Sequence, residues 1–236
     1  MKHHFVYVKN ALRLEQAYEY LRDAEPRTPR FGLVHGFPGA GKTMAISVLS
    51  NDVGGCYVRA TAAWTPRTML RTILRRMGRE DINGIQDQLD EITRLLTIGN
   101  KPLFVDEADY LFERRGLLDL LRDLHDMAGV PVVLVGMERI SRKIGNRELL
   151  ASRVSAEVKF DPTDIEDARK VADTLCEVAI AEDVLADLHG QSNGNIRRLK
   201  VGLSQVEAFG LRSGMDRVTL ADWKRAERPY FLERGL

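Results

Sequence analysis

Residues Gly36-Phe-Pro-Gly-Ala-Gly-Lys-Thr43 follow the pattern G-x-x-x-x-G-K-[ST]. Glycines at this spacing let backbone N–H groups curl around a polyphosphate without side chains in the way. Lys42 stands where its ammonium can reach the β- and γ-phosphates, and Thr43 where its hydroxyl can ligate Mg²⁺. Gly36, Pro38, Gly39, Ala40, Gly41 and Met44 complete the candidate nucleotide-binding stretch. The run Phe31-Gly-Leu-Val-His35 reads as a buried strand. Met44-Ala-Ile-Ser-Val-Leu49 reads as a helix whose N-terminus faces the phosphates.

A second cluster lies at Leu103-Phe-Val-Asp-Glu107, an apolar strand ending in two carboxylates. Asp106 is expected to hold Mg²⁺ through water, and Glu107 to orient or deprotonate an attacking water. Asp109 reads as acidic charge at a helix N-terminus. ATP and Mg²⁺ are therefore the expected cofactors, and phosphoanhydride hydrolysis the expected chemistry.

These residues need a scaffold. The chain has 236 residues, 44% hydrophobic and 29% charged, enough for one α/β core and a small accessory domain. Strands are expected at 31–35, 56–60, 102–106, 131–136 and 156–160. Helices are expected near 5–24, 42–51, 66–78, 85–98, 107–128 and 138–151, with prolines in 24–30 breaking the first. Short apolar strands alternating with helices argue a parallel five-stranded sheet covered on both faces. After Asp161-Pro162 only helical periodicity remains, near 163–175, 182–189, 195–210 and 219–227. The expected domains are thus 1–160, an α/β nucleotide domain with a leading helix, and 161–236, a small all-helical lid. Cys56 and Cys176 read as buried free thiols, the histidines form no cluster, and no run is long enough to span a membrane. The cytoplasm is the default location. A net charge of +1 excludes a whole-protein basic field, so any nucleic acid must meet a local patch.

Several arginines and one methionine refine the picture. Arg153 precedes the last strand, where it can project into a neighbouring subunit's site as an arginine finger. The alternative is a surface arginine pairing an acid, and Arg147 is the fallback. Gly194-Asn-Ile-Arg197-Arg198 opens a lid helix, and Arg197, or else Arg198, could sense the γ-phosphate. Met137 stands just past the strand Val130–Val135, and a thioether is a poor water ligand; Glu138 or Ser141 could substitute. On the helix from Thr65, the residues Met69, Leu70, Ile73, Leu74 and Met77 form a buried stripe. Arg67, Arg71, Arg75 and Arg79 recur every four residues on another face, with no acid until Glu80. Like charges at that spacing repel. The stripe is either a solvated face, a set of partners for acids elsewhere, or a contact for a phosphate backbone. Thr68 belongs to the same candidate DNA-binding set as Arg67, Arg71 and Arg75. Trp64 could stack on a base or anchor the core. Arg114, Arg115, Arg139, Arg142 and Lys143 are secondary candidates.

The ordered set resembles the AAA+ ATPases. The residues that carry the likeness are Gly36–Thr43, Phe104-Val-Asp-Glu-Ala-Asp109, Val133-Leu-Val-Gly136, Ser152-Arg153, Asn195-Ile-Arg-Arg-Leu199 and Val218-Thr-Leu-Ala-Asp-Trp223. More narrowly it is similar to phage Mu transposition protein B and the TniB and TnsC-type transposon regulators. That resemblance implies ATP-bound subunits assembling head to tail on double-stranded DNA, as a helical filament or ring, with Arg153 completing the neighbour's site. It implies a transposase as partner and no membrane. It also favours Arg67 and Arg71 as DNA contacts, because such proteins set a basic segment after the second strand against the DNA. Two departures stand out. The Mu protein carries a helical DNA-binding domain ahead of its ATPase, whereas this chain is expected to begin almost at the ATPase. Met137 replaces a polar residue, which implies slow turnover. A helicase loader or replication-initiation ATPase, or a nucleotide-bound scaffold, are the alternatives.

Overall fold

The computed structural model describes residues 1–25, 28–80 and 82–231. Pro26, one of the two prolines expected to end the first helix, lies outside them. Five parallel strands form one sheet: β1 (Phe31–Gly36), β2 (Cys56–Arg59), β3 (Leu103–Asp106), β4 (Val132–Met137) and β5 (Val154–Phe160), in the order β2-β3-β4-β1-β5. The three inner strands are buried almost throughout, which explains their unbroken apolar runs. At the edge, β5 alternates, with Val158 and Phe160 inward and Glu157 and Lys159 outward. Around the sheet lie α1 (Lys9–Asp23), α2 (Lys42–Asp52), α3 (Pro66–Arg76), α4 (Ile85–Gly99), α5 (Leu117–Ala128), α6 (Ile140–Gly145) and α7 (Glu148–Ala151). This is the doubly covered parallel sheet of a P-loop AAA+ fold.

The α3 helix begins on a capping box between Thr65 and Thr68, with Pro66 in the first turn. Its Met69, Leu70, Ile73 and Leu74 are buried. Trp64, just before it, is 5% exposed within the same core, so of its two readings the structure supports the core anchor.

Three expectations are revised. The stretch 107–128 is not one helix but a 3₁₀ turn, Ala108–Phe112, followed by α5. Glu107 and Gly116 take left-handed backbone conformations, with φ of 53° and 84°, and each resets the chain direction. The stretch 138–151 likewise divides into α6 and α7. The C-terminal part, expected to be all-helical, holds α8 (Ile165–Leu175), α9 (Glu182–Ser192), α10 (Ile196–Arg212) and α11 (Leu220–Arg225). It also holds a two-stranded parallel sheet of β6 (Ala179–Ile180) and β7 (Arg217–Val218). Two-residue strands carry no readable alternation.

The chain divides into two compact units, one of 13–37 and 42–160, the other of 1–12, 38–41 and 161–236. The first twelve residues thus group with the helical part, held there by Lys9, which pairs with Asp164 and Glu166, and by Asn10, which bonds to Asp161. The loop tip 38–41 joins the same unit.

Candidate nucleotide site and arginine-lined helix

β1 delivers the phosphate loop. Gly39 has φ of +85°, a conformation that glycine adopts without strain. Lys42 opens α2 and donates from Nζ to the carbonyls of Gly36, at 2.7 Å, and Phe37, at 3.0 Å. Its ammonium therefore already lies inside the loop, bound to carbonyls that a phosphate's oxygens can replace. Thr43 and Met44 are exposed in the first turn of α2, Pro38 is exposed, and Ala40 is buried. The Thr43 hydroxyl has no partner among the described residues and is free to ligate a metal. The donor set fits a Mg²⁺-bound nucleoside triphosphate.

β3 delivers the carboxylates at the same edge of the sheet. Asp106 is 3% exposed. One oxygen accepts the Glu107 N–H at 2.9 Å, and the other accepts the Tyr57 hydroxyl of β2, also at 2.9 Å. Burial, and then the Asp106 charge, push the Tyr57 phenol above its ordinary pKa, so it stays a donor. Glu107 is held in its left-handed conformation, and its carboxylate meets Arg59 of β2 at 3.0 Å. A non-glycine residue there stores strain on the order of 1–3 kcal/mol, which commonly marks a functional site. Two residues apart on β2, Tyr57 and Arg59 thus hold both candidate carboxylates.

Asp109 does more than charge a helix start. It accepts the Met137 N–H at 2.6 Å and pairs with Lys143 at 3.5 Å, tying the turn after β3 to the end of β4. Met137 is 38% exposed beside Gly36 in register. Of its two candidate substitutes, Glu138 pairs with Lys159 at 3.5 Å and Ser141 is half-buried.

Arg153 lies elsewhere. Its carbonyl accepts the Phe31 N–H, so it sits where β1 begins, at the edge of the sheet opposite the phosphate loop. β1 has six residues, so the edges are roughly 20 Å apart at about 3.3 Å per residue. Arg153 cannot reach its own loop. Its guanidinium grips Asp126 through Nε and Nη2, the latter at 2.6 Å, and Nη1 donates to Leu149 O. Asp126 is also bonded to His125 Nδ1 at 2.8 Å, and His125 Nε2 accepts the Arg30 N–H. The Arg153 bond pulls the Asp126 pKa down to about 2, and burial lowers that of His125. Arg147 is exposed, its guanidinium 5.7 Å from the centre of the Phe112 ring. Arg197 is exposed in the first turn of α10, and its N–H points to Gly39 O at 3.3 Å. Arg198 instead lies over the Phe231 ring at 4.3 Å.

On α3, Arg67, Arg71 and Arg75 are exposed and line one cleft with Arg79, Glu80 and Gln88. The first three have no ion partner among the described residues. Arg79 does: Glu91 of α4 stands 3.3 Å away. Among the described residues, therefore, Arg67, Arg71 and Arg75 lack a counter-ion and Arg79 has one. The Thr68 hydroxyl, exposed on the same helix, is engaged in the capping box with Thr65.

Sequence reasoning missed Tyr57, Arg59 and Asp126 altogether and gave Asp109 only a dipole role. A polar residue alternating outward on a strand beside the carboxylate strand was the available signal for Tyr57 and Arg59. Asp126 carried none. Among the described residues no cluster of three or more histidine, cysteine, aspartate or glutamate side chains could hold a metal, and no helix is long and apolar enough to cross a membrane. Cys56 and Cys176 are buried and free.

A family model described as an AAA domain matches residues 24–144, just over half of the chain, and the chain belongs to that family. Among curated proteins no sequence match is found. Solved structures with the same fold include Cdc6p from Pyrobaculum aerophilum, with a TM-score of 0.68 and 16% identity over 92% of this chain and 65% of that one. The Aeropyrum pernix ORC1 protein in complex with DNA is similar at TM-score 0.62 and 20% identity, over 92% and 63%. The Thermotoga maritima RuvB Holliday junction branch migration motor follows at 0.64 and 18%, over 94% and 68%. The chain thus spans about two thirds of the length of these proteins. At such identities the likeness carries the fold, and the sites must carry the function.

Proposed function

We propose that the chain is an ATP- and Mg²⁺-dependent ATPase that assembles head to tail on duplex DNA, marks it as a transposition target and activates a transposase. One observation carries this reading: β2 holds both candidate catalytic carboxylates and leads directly into the helix whose Arg67, Arg71 and Arg75 have no ion partner among the described residues. Nucleotide chemistry and a polyanion surface are thereby adjacent in the chain.

In this reading Lys42 and the loop N–H groups hold the β- and γ-phosphates, and Thr43 and Asp106 hold the metal. Mg²⁺, when bound, neutralises charge on the phosphate oxygens. Glu107 orients the attacking water once Arg59 releases it. Arg197 senses the γ-phosphate from its own chain, and Arg153 reaches a neighbour's site, because the sheet separates it from its own. Residues 1–160 act as the nucleotide domain and 161–236 as the lid. The expected setting is the cytosol of a bacterium or an infected host. Met137, without a water-binding group, makes turnover slow until DNA or the transposase stimulates it.

A second reading is a replication-initiation or helicase-loading ATPase, favoured by the likeness to ORC1 solved with DNA. Electron microscopy with a slowly hydrolysed ATP analogue separates them. ATP-dependent filaments or rings on duplex DNA support the first reading. Assembly on single strands only supports the second. No nucleotide-dependent assembly on either overturns both.

A further inference from the structure

The first turn of α10 is fastened to the tip of the phosphate loop by one side chain. Asn195 precedes that helix and uses both ends of its amide. Oδ1 accepts the Arg198 N–H at 3.1 Å, the usual capping bond. Nδ2 donates to Pro38 O at 3.0 Å. Capping alone does not account for asparagine, since aspartate and serine cap about as well. Only the amide adds a nitrogen donor with the reach to the loop.

The loop is shaped to receive it. A Cβ on Gly39 would stand 2.4–2.8 Å from the Asn195 amide atoms, and one on Gly41 would stand 3.2 Å from Ile196. The Gly39 carbonyl also accepts the Arg197 N–H. Residues 38–41 accordingly group with the helical unit rather than with the strand that precedes them.

We infer that Asn195 is a positioning residue for nucleotide binding: it fixes Pro38 and Gly39 so that the loop's N–H groups stay aimed at the phosphates. The inference rests on the nucleotide-site reading above. Arg197, two residues on, is carried by the same turn, so whatever moves the loop moves that guanidinium.

The test uses the full chain, a fluorescent ATP analogue with Mg²⁺, and the variants N195S, N195D and N195A. Serine and aspartate keep the cap and lose the Pro38 bond; alanine loses both. One net hydrogen bond corresponds to about a 2- to 10-fold change in an equilibrium constant. N195S and N195D should therefore melt like the parent yet bind the analogue about 2- to 10-fold more weakly, through a faster off-rate. Backbone amides 39–42 should exchange faster with deuterium in both. N195A should show the same binding loss plus a lower melting temperature. Parental affinity, off-rate and exchange in N195S and N195D would make Asn195 a helix cap and nothing more. A loss that tracks melting temperature across the three variants overturns the inference equally. K42A separates the two levels: if it binds the analogue as the parent does, the nucleotide-site reading itself fails.

Discussion

The arginines of α3 offer a quantitative test, because the structure sorts them. Arg67, Arg71 and Arg75 are exposed without an ion partner among the described residues, whereas Arg79 already faces Glu91 at 3.3 Å. If the helix lies against a phosphate backbone, each unpaired arginine displaces about one condensed cation, and the log–log salt slope gains about 0.9 per contact. Three contacts give a slope near 2.7 per subunit, so raising salt from 50 to 200 mM should weaken their share of binding about 40-fold. R67A/R71A should lower the slope by about 1.8 and weaken binding to every duplex alike, since backbone contacts carry little sequence information. R79A should change the slope less, because Glu91, which Arg79 shares with Arg94, already stands against its charge. The α3 core face is untouched in all these variants, so folding and ATP-analogue binding should persist. The assay is fluorescence anisotropy with a labelled duplex at four salt concentrations. Equal slopes for the parent and R67A/R71A, or an R79A effect as large as that of R71A, would show that the stripe is a solvated face.

Three further outcomes follow from the sites. Glu107→Gln is nearly isosteric and should bind ATP normally while phosphate release falls about 100-fold or more, in the range of a lost general base; release at the parental rate assigns the water to another group. Arg153→Ala subunits mixed with Lys42→Ala subunits should recover part of the activity that each lacks alone, because some interfaces pair an intact loop with an intact arginine. No recovery despite co-assembly would remove Arg153 from catalysis. Acid should loosen the corner around His125 in two stages. His125 is held below its ordinary 6.5 by burial, so its contribution is complete above that value and is lost as pH falls. Asp126, pulled from 3.8 to about 2 by Arg153, contributes above its ordinary value and loses that contribution as pH falls from about 4 towards 2. Urea melts of D126N across this range should therefore show a flatter pH dependence below pH 4 than the parent, and identical curves would place the acid sensitivity elsewhere.

The parallel sheet was legible because burial on both faces writes itself as unbroken apolar runs, as in Phe31–His35, Leu103–Val105 and Val132–Val135. The phosphate loop was legible because its chemistry is local: eight consecutive residues do the work. What was hidden is what depends on partners distant in the chain. Tyr57 meets Asp106, Asp109 meets Met137, and Asp126 meets Arg153, each across 27 residues or more. No periodicity encodes such meetings. The break at Glu107 was hidden for another reason: the local sequence Asp-Glu-Ala-Asp favours a helix start, and the left-handed backbone that interrupts it belongs to the site rather than to propensity. Arg79 shows the same limit from the other side, since Glu91 lies on the next helix and the stripe read alone looked uniformly unpaired.

The register of the sheet turns these pieces into one argument. Because all five strands run in the same direction, the ends of β1, β3 and β4 put Gly36, Asp106 and Met137 along one edge. The starts of β1 and β5 put Arg30 and Arg153 along the other, where His125 and Asp126 buttress them. A single copy therefore presents a loop at one edge and a candidate finger roughly 20 Å away at the opposite edge. Two such edges can meet only between different copies, and the contact they make is unlike on its two sides. A contact of that kind repeats without limit unless rotation closes it into a ring. In the proposed assembly, docking would have to offer the Arg153 guanidinium a phosphate in exchange for the Asp126 carboxylate it bonds through Nε and Nη2. A triphosphate bound to the neighbouring copy is the group proposed to take that place, and the mixed Arg153→Ala and Lys42→Ala subunits test the exchange.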